Sequence, residues 1–160
     1  MKIRISSTEE ERYAQAVDDI INRWKHGESI DWRSLSTKGK RTYVKACLKW
    51  SDLPSKAIKT GSYILDGAEV KKEIDLYCLL GEVFIGERGY LGQDLHGFYD
   101  CFCFSGYGAH EPIVQPNTSV IILNSTLLEK TLNKSFTSTE SYFLILIEYL
   151  QNVGFTVKLC

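Results

Sequence analysis

The run Ser119-Val120-Ile121-Ile122-Leu123 constrains this chain more than any other feature. It is a short, nearly continuous apolar stretch, the pattern of a strand buried on both faces of a parallel sheet. Parallel strands need crossover connections, so helical segments are expected on either side of it. Upstream, Tyr63-Ile64-Leu65 reads as a strand ended by the turn dipeptide Asp66-Gly67. Downstream, Phe155 to Leu159 reads as a closing strand after the helix stop Gly154. Between the first two lie Val70 to Phe84 and Asp94 to Phe104, the latter capped by Asp94 with Leu95, Phe98, Tyr99 and Phe102 on one face. Between the last two lie Ser125 to about Phe136 and Ser138 to Val153, capped by Ser138 or Thr139. The order β-α-α-β-α-α-β predicts an α/β fold, a three-stranded parallel sheet covered by helices, with right-handed crossovers.

The first third has a different pattern. Residues 6–26 predict a helix with Glu9, Glu10 and Glu11 in its first turn and an apolar stripe of Tyr13, Val17, Ile20, Ile21 and Trp24. Ser36 to Trp50 predict a second, with Tyr43, Cys47 and Trp50 at helical spacing. Ser51-Asp52-Leu53-Pro54-Ser55 breaks it. These signals place a helical hairpin extension at residues 1–58 before an α/β domain at 61–160.

Length (160 residues) suits one domain with an appendage, and a 44% hydrophobic composition supports a core. Formal net charge is only −1, but its distribution is uneven. Arg33 to Lys59 holds eight basic residues and one acid, Asp52, whereas Thr60 to Cys160 holds twelve acids and six bases. The basic stretch is either a partner-facing surface, nucleic acid included, or a solvated helix face. Met1 to Ile5 carries charge with no apolar run behind it, and Tyr142 to Leu150 is too short to span a bilayer, so a soluble, cytoplasmic chain is expected. The five cysteines show no zinc spacing and read as reduced, so neither metal nor cofactor is expected.

Tyr90-Leu91-Gly92-Gln93-Asp94-Leu95-His96-Gly97-Phe98-Tyr99-Asp100-Cys101, together with Ile64-Leu65-Asp66-Gly67, Val120 to Leu123 and Gly154 to Leu159, resembles the barstar family of ribonuclease inhibitors. The resemblance covers roughly residues 61–160 and leaves 1–58 without a counterpart. It implies a protein that plugs the active site of a ribonuclease, with acids standing in for RNA phosphates. Asp100 matches the acid that enters the nuclease's phosphate site. Tyr90 matches a contacting aromatic, Tyr99 replaces a tryptophan, Gly92 matches a loop glycine, and Asp94 matches the Asn/Asp at the helix start. Tyr107 matches an aromatic after the helix if two residues are inserted. His96 and Tyr149 stand where the family carries further acids, so the implied partner is a specialised nuclease rather than barnase itself. The resemblance also points to toxin–immunity systems, such as contact-dependent growth inhibition. In these a cytoplasmic immunity protein, an antitoxin, neutralises a cognate ribonuclease toxin domain.

An enzyme is not expected. His96 and Asp100 stand four residues apart on a helix and can touch, but such a pair is more often a surface hydrogen bond than an acid–base site. Tyr99 and Tyr149 have packing roles open to them, and Asp94 a capping role. The alternative is an RNA-binding or regulatory protein working through residues 33–59. No aromatic in that segment reads as clearly exposed for stacking on bases.

Overall fold

The computed structural model describes residues 7–103, 113–134 and 136–160. Three parallel strands, β1 (Gly61–Asp66), β2 (Thr118–Leu123) and β3 (Thr156–Leu159), form one sheet in the order β1-β2-β3. Tyr63 faces Val120 in the first ladder and Val120 faces Val157 in the second. Helices α3 (Glu73–Phe84) and α4 (Leu95–Cys103) separate the first two strands; α5 (Ser125–Asn133) and α6 (Tyr142–Asn152) separate the last two. The predicted α/β class and the order of elements agree with this arrangement. Ahead of it, α1 (Ser7–Lys25) and α2 (Thr37–Ser51) form the hairpin.

Several boundaries differ from the sequence expectation, each for a local reason. α3 begins at Glu73 because Asp75 reaches back: its Oδ2 accepts the backbone N–H groups of Lys71 and Lys72 at 2.9 and 3.0 Å. α6 is capped by Ser141, not Ser138 or Thr139. The Ser141 hydroxyl accepts from Leu144 N at 3.3 Å and is bracketed by the Asn133 amide. α5 stops at Asn133, whose Oδ1 also takes the Phe143 N–H.

The expectation that β2 is buried on both faces is corrected. Leu65, Val120 and Ile122 are fully buried on the helix-covered face. On the other face Ser62, Ile64, Thr156 and Lys158 are exposed, and Ser119 and Ile121 are half-buried. The register lines these up as Ser62–Ser119–Thr156 and Ile64–Ile121–Lys158. No helix among the described residues closes over them. Period-two alternation sends every second side chain of a continuous apolar strand to this open side.

The hairpin shares its core with the rest. Val17, Ile21, Trp24, Trp32 and Cys47 belong to the same buried cluster as Leu76, Leu80 and Val120. Charges and rings fasten the seam. Trp32 is 2% exposed and donates from Nε1 to Glu82 Oε2 at 3.3 Å. The Arg33 guanidinium lies 4.4 Å from the Trp32 ring centre and pairs with Glu82 and Glu69, which hold it protonated. Lys40 Nζ stands 2.7 Å from Oδ1 of Asp75, a carboxylate only 1% exposed. On the far side Trp24 and Trp50 meet edge to face, ring centres 5.7 Å apart, and the Arg88 guanidinium lies over both at 5.2 and 5.0 Å.

Two glycines let a loop pass close to helices. A Cβ on Gly81 would lie 2.2 Å from the Gly89 carbonyl oxygen, so α3 and the loop after it touch backbone to backbone. The sequence places Gly81 on the inner side of its helix, as found. Trp50 and Tyr13 depart from their predicted stripes: they are 40% and 38% exposed. Each lies at one end of its helix's apolar face, where the neighbouring elements give out.

Candidate functional site

The residues singled out by sequence divide into two groups. Tyr90 and Gly92 are structural. Tyr90 is 7% exposed and its phenol is pushed up by burial, which corrects its expected place on a contact surface. Gly92 is buried at φ +90°, and a Cβ there would stand 2.3 Å from Phe98 N. The chain turns under the first turn of α4 at this point, so Gly92 lies beneath the surface it was expected to form. The physical reason is the same for both: the loop before α4 is pinned between α3 and α4, not raised from them.

Asp94, His96, Tyr99, Asp100 and Tyr149 come together at the surface. Asp94 caps α4, its Oδ1 accepting the Gly97 N–H at 2.7 Å, and remains exposed. One turn on, His96 and Asp100 are exposed; they neither bond each other nor have an ion-pair partner among the described residues. The His96–Asp100 contact that their spacing allows is therefore not formed. Tyr99 on α4 packs on Tyr149 of α6, ring centres 4.8 Å apart and planes at 41°. Both rings are half-buried, so the pair bridges the two helices and leaves ring edges at the surface. Glu148, the residue before Tyr149 in α6, is exposed without an ion-pair partner among the described residues. The remaining candidate, Tyr107, lies outside the described residues.

The α4 face rests on a buried floor. Phe98 is fully buried against Phe102, and Cys101 is 2% exposed with its thiol pushed up to about 12 by burial. Cys103 is exposed. Among the described residues no group of three or more His, Cys, Asp or Glu side chains is placed to hold a metal ion. No helix there is long and apolar enough to cross a membrane.

Sequence reasoning missed two hollows, of which only the first reaches the start of α4. One, about 490 Å³, lies between the hairpin and the start of α3 and α4, lined by Tyr13, Lys38, Arg41, Glu73, Ile74, Gln93 and Asp94. Its floor is polar and satisfied: the Tyr142 hydroxyl donates to Glu73 Oε1 at 2.9 Å and accepts from Tyr77. Burial pushes both phenols well above their ordinary value. The other hollow, about 530 Å³, is bounded by Trp50, Leu53, Ile58, Tyr63 and Phe84, with Lys56 and Lys59 on its rim. The exposure of Trp50 here corrects the expectation that the basic segment shows no aromatic. No signal in the sequence joins residues 38–41 to 93–94; only the packing of the hairpin does.

No family model matches the chain, and no curated protein or solved structure matches it either.

Proposed function

We propose that this protein is an immunity-type inhibitor. It binds a cognate ribonuclease toxin domain and closes its active site with the α4–α6 face, without catalysis or cofactor of its own. The observation that carries this reading is the joining of α4 and α6 by the Tyr99–Tyr149 stack, with Asp100 and His96 beside it, unpaired among the described residues. A rigid aromatic pair next to a carboxylate that no described residue engages suits a hot spot. The carboxylate meets the Arg, Lys or His side chains that a ribonuclease aims at a phosphate. Barstar-type likeness in residues 61–160 and a cytoplasmic site of action belong to the same proposal.

The test is co-expression with the nuclease domain encoded beside its gene, following growth and RNA integrity. Wild type rescues and Asp100→Ala rescues poorly, because truncating a charge that becomes buried and paired in a complex costs several kcal/mol of affinity. The mutant's own stability stays unchanged, since Asp100 is exposed and pairs with no described residue. Full rescue by Asp100→Ala, or none by wild type, defeats the reading.

RNA binding through the basic segment is the second reading. Trp50 favours it, standing 40% exposed near Lys56 and Lys59. It requires Trp50→Ala and Lys59→Ala to weaken RNA binding, and affinity to fall steeply with salt.

A further inference from the structure

The hairpin sorts its basic residues into two sets. Arg33, Lys40 and Lys49 are spoken for, paired with Glu69 and Glu82, with Asp75, and with Asp18. Lys38, Arg41 and Lys45 are exposed and have no ion-pair partner among the described residues. Their spacing of three and four residues puts them in one stripe along α2. The stripe does not run into open solvent at its N-terminal end. There Lys38 and Arg41 form one wall of the 490 Å³ cleft, whose opposite wall is Gln93 and Asp94 at the start of α4.

We propose that this cleft is the second half of the inhibitor's docking surface and receives an acidic segment of the nuclease. Charge complementarity selects the occupant. Two uncommitted cations on one wall call for carboxylates. Asp94 on the other wall is exposed and calls for a donor close by, while Glu73 on the floor is already bonded by the Tyr142 hydroxyl. A protein segment supplies both signs within a few residues. An RNA strand laid along the stripe brings its phosphates up against Asp94 and Glu73. The mixed-sign cleft therefore favours protein over nucleic acid. It also gives the hairpin a role, since α2 extends the contact surface from the α4–α6 face across the seam, and the ion pairs of Arg33 and Lys40 hold it in register. This inference rests on the inhibitor reading and adds the hairpin to it.

The experiment measures binding kinetics of the full chain to the catalytically inactivated nuclease domain encoded beside its gene, at low and physiological salt. Wild type, Asp100→Ala, Lys38→Gln/Arg41→Gln and Lys38→Glu/Arg41→Glu are compared, with thermal unfolding as a control for folding. Charge reversal is expected to weaken binding about tenfold or more, mainly through slower association, with the glutamine pair intermediate and the salt dependence reduced. If Asp100→Ala weakens binding while both hairpin variants bind within about twofold of wild type, the cleft is not part of the surface and the inhibitor reading stands without it. If wild type does not bind, the inhibitor reading falls and takes this one with it. If a short single-stranded RNA binds instead and charge reversal abolishes it, the stripe is a nucleic-acid face and the proposal is overturned.

Discussion

The seam between the hairpin and α3 and the face formed by α4 and α6 both carry charges and aromatic rings, and they use them in opposite ways. At the seam each such group is committed. Trp32 bonds Glu82, Arg33 spans two carboxylates, Lys40 meets a buried Asp75, and Arg88 lies over two indoles. On the α4–α6 face His96 and Asp100 have no ion-pair partner among the described residues, and the two tyrosine rings stack on each other. Charges in the first group tie the hairpin to α3, and in the buried Lys40–Asp75 pair removing one partner strands the other in poor solvent. Charges in the second are already hydrated and contribute little to folding. What the fold does not use is free for something else.

The sharpest way to break this contrast is to delete one carboxylate from each region. Asp75→Ala leaves Lys40, whose side chain is 14% exposed, without its counter-charge and removes the N-terminal bonds of α3. A loss of about 3–5 kcal/mol is expected in urea denaturation. Asp100→Ala should fall within about 0.5 kcal/mol of wild type. Equal losses would erase the distinction.

A tyrosine pair tests the same line. Tyr90→Ala removes a buried ring and is expected to cost about 3 kcal/mol or more. Tyr99→Ala breaks a half-exposed stack and should cost about 1 kcal/mol, measured in the same way.

The smallest effect concerns acid. The Asn124 amide and the Ala68 N–H hold the Asp66 carboxyl below the usual range. A carboxyl lowered in the folded state stabilises fully above its unfolded value of about 3.9, and that contribution is lost as pH falls through the folded value. Asp66→Asn should therefore flatten the decline of stability below about pH 4. Thermal unfolding across that range checks it.

Much of the architecture was legible because strands and helices leave period-two and period-3.6 traces, and Asp94, Gly154 and the Asp66-Gly67 turn mark their ends. The open side of the sheet was not legible. Val120-Ile121-Ile122 reads the same whether a second helical layer covers Ile121 or not. Tyr90 was misplaced for a related reason. An aromatic ahead of a helix cap looks identical whether it points out or in, and its burial follows from the Gly81–Gly89 contact that draws the loop inward. The surface group at Asp94, Tyr99, Asp100 and Tyr149 was partly readable from helical spacing within α4. The cleft of Lys38, Arg41 and Asp94 was not, because it exists only once two elements some fifty residues apart have packed.

The distribution of indoles has an optical consequence. All three tryptophans, Trp24, Trp32 and Trp50, belong to the hairpin, and the strands and helices after it carry none. Intrinsic indole emission therefore reports on the seam alone, while the sheet is visible only through tyrosine and through circular dichroism. Undocking the hairpin hydrates Trp32 and lifts Arg88 off the other two rings, shifting the emission to the red. If that shift precedes the loss of secondary structure on heating, the chain melts in two stages; if the two coincide, hairpin and sheet are one cooperative unit.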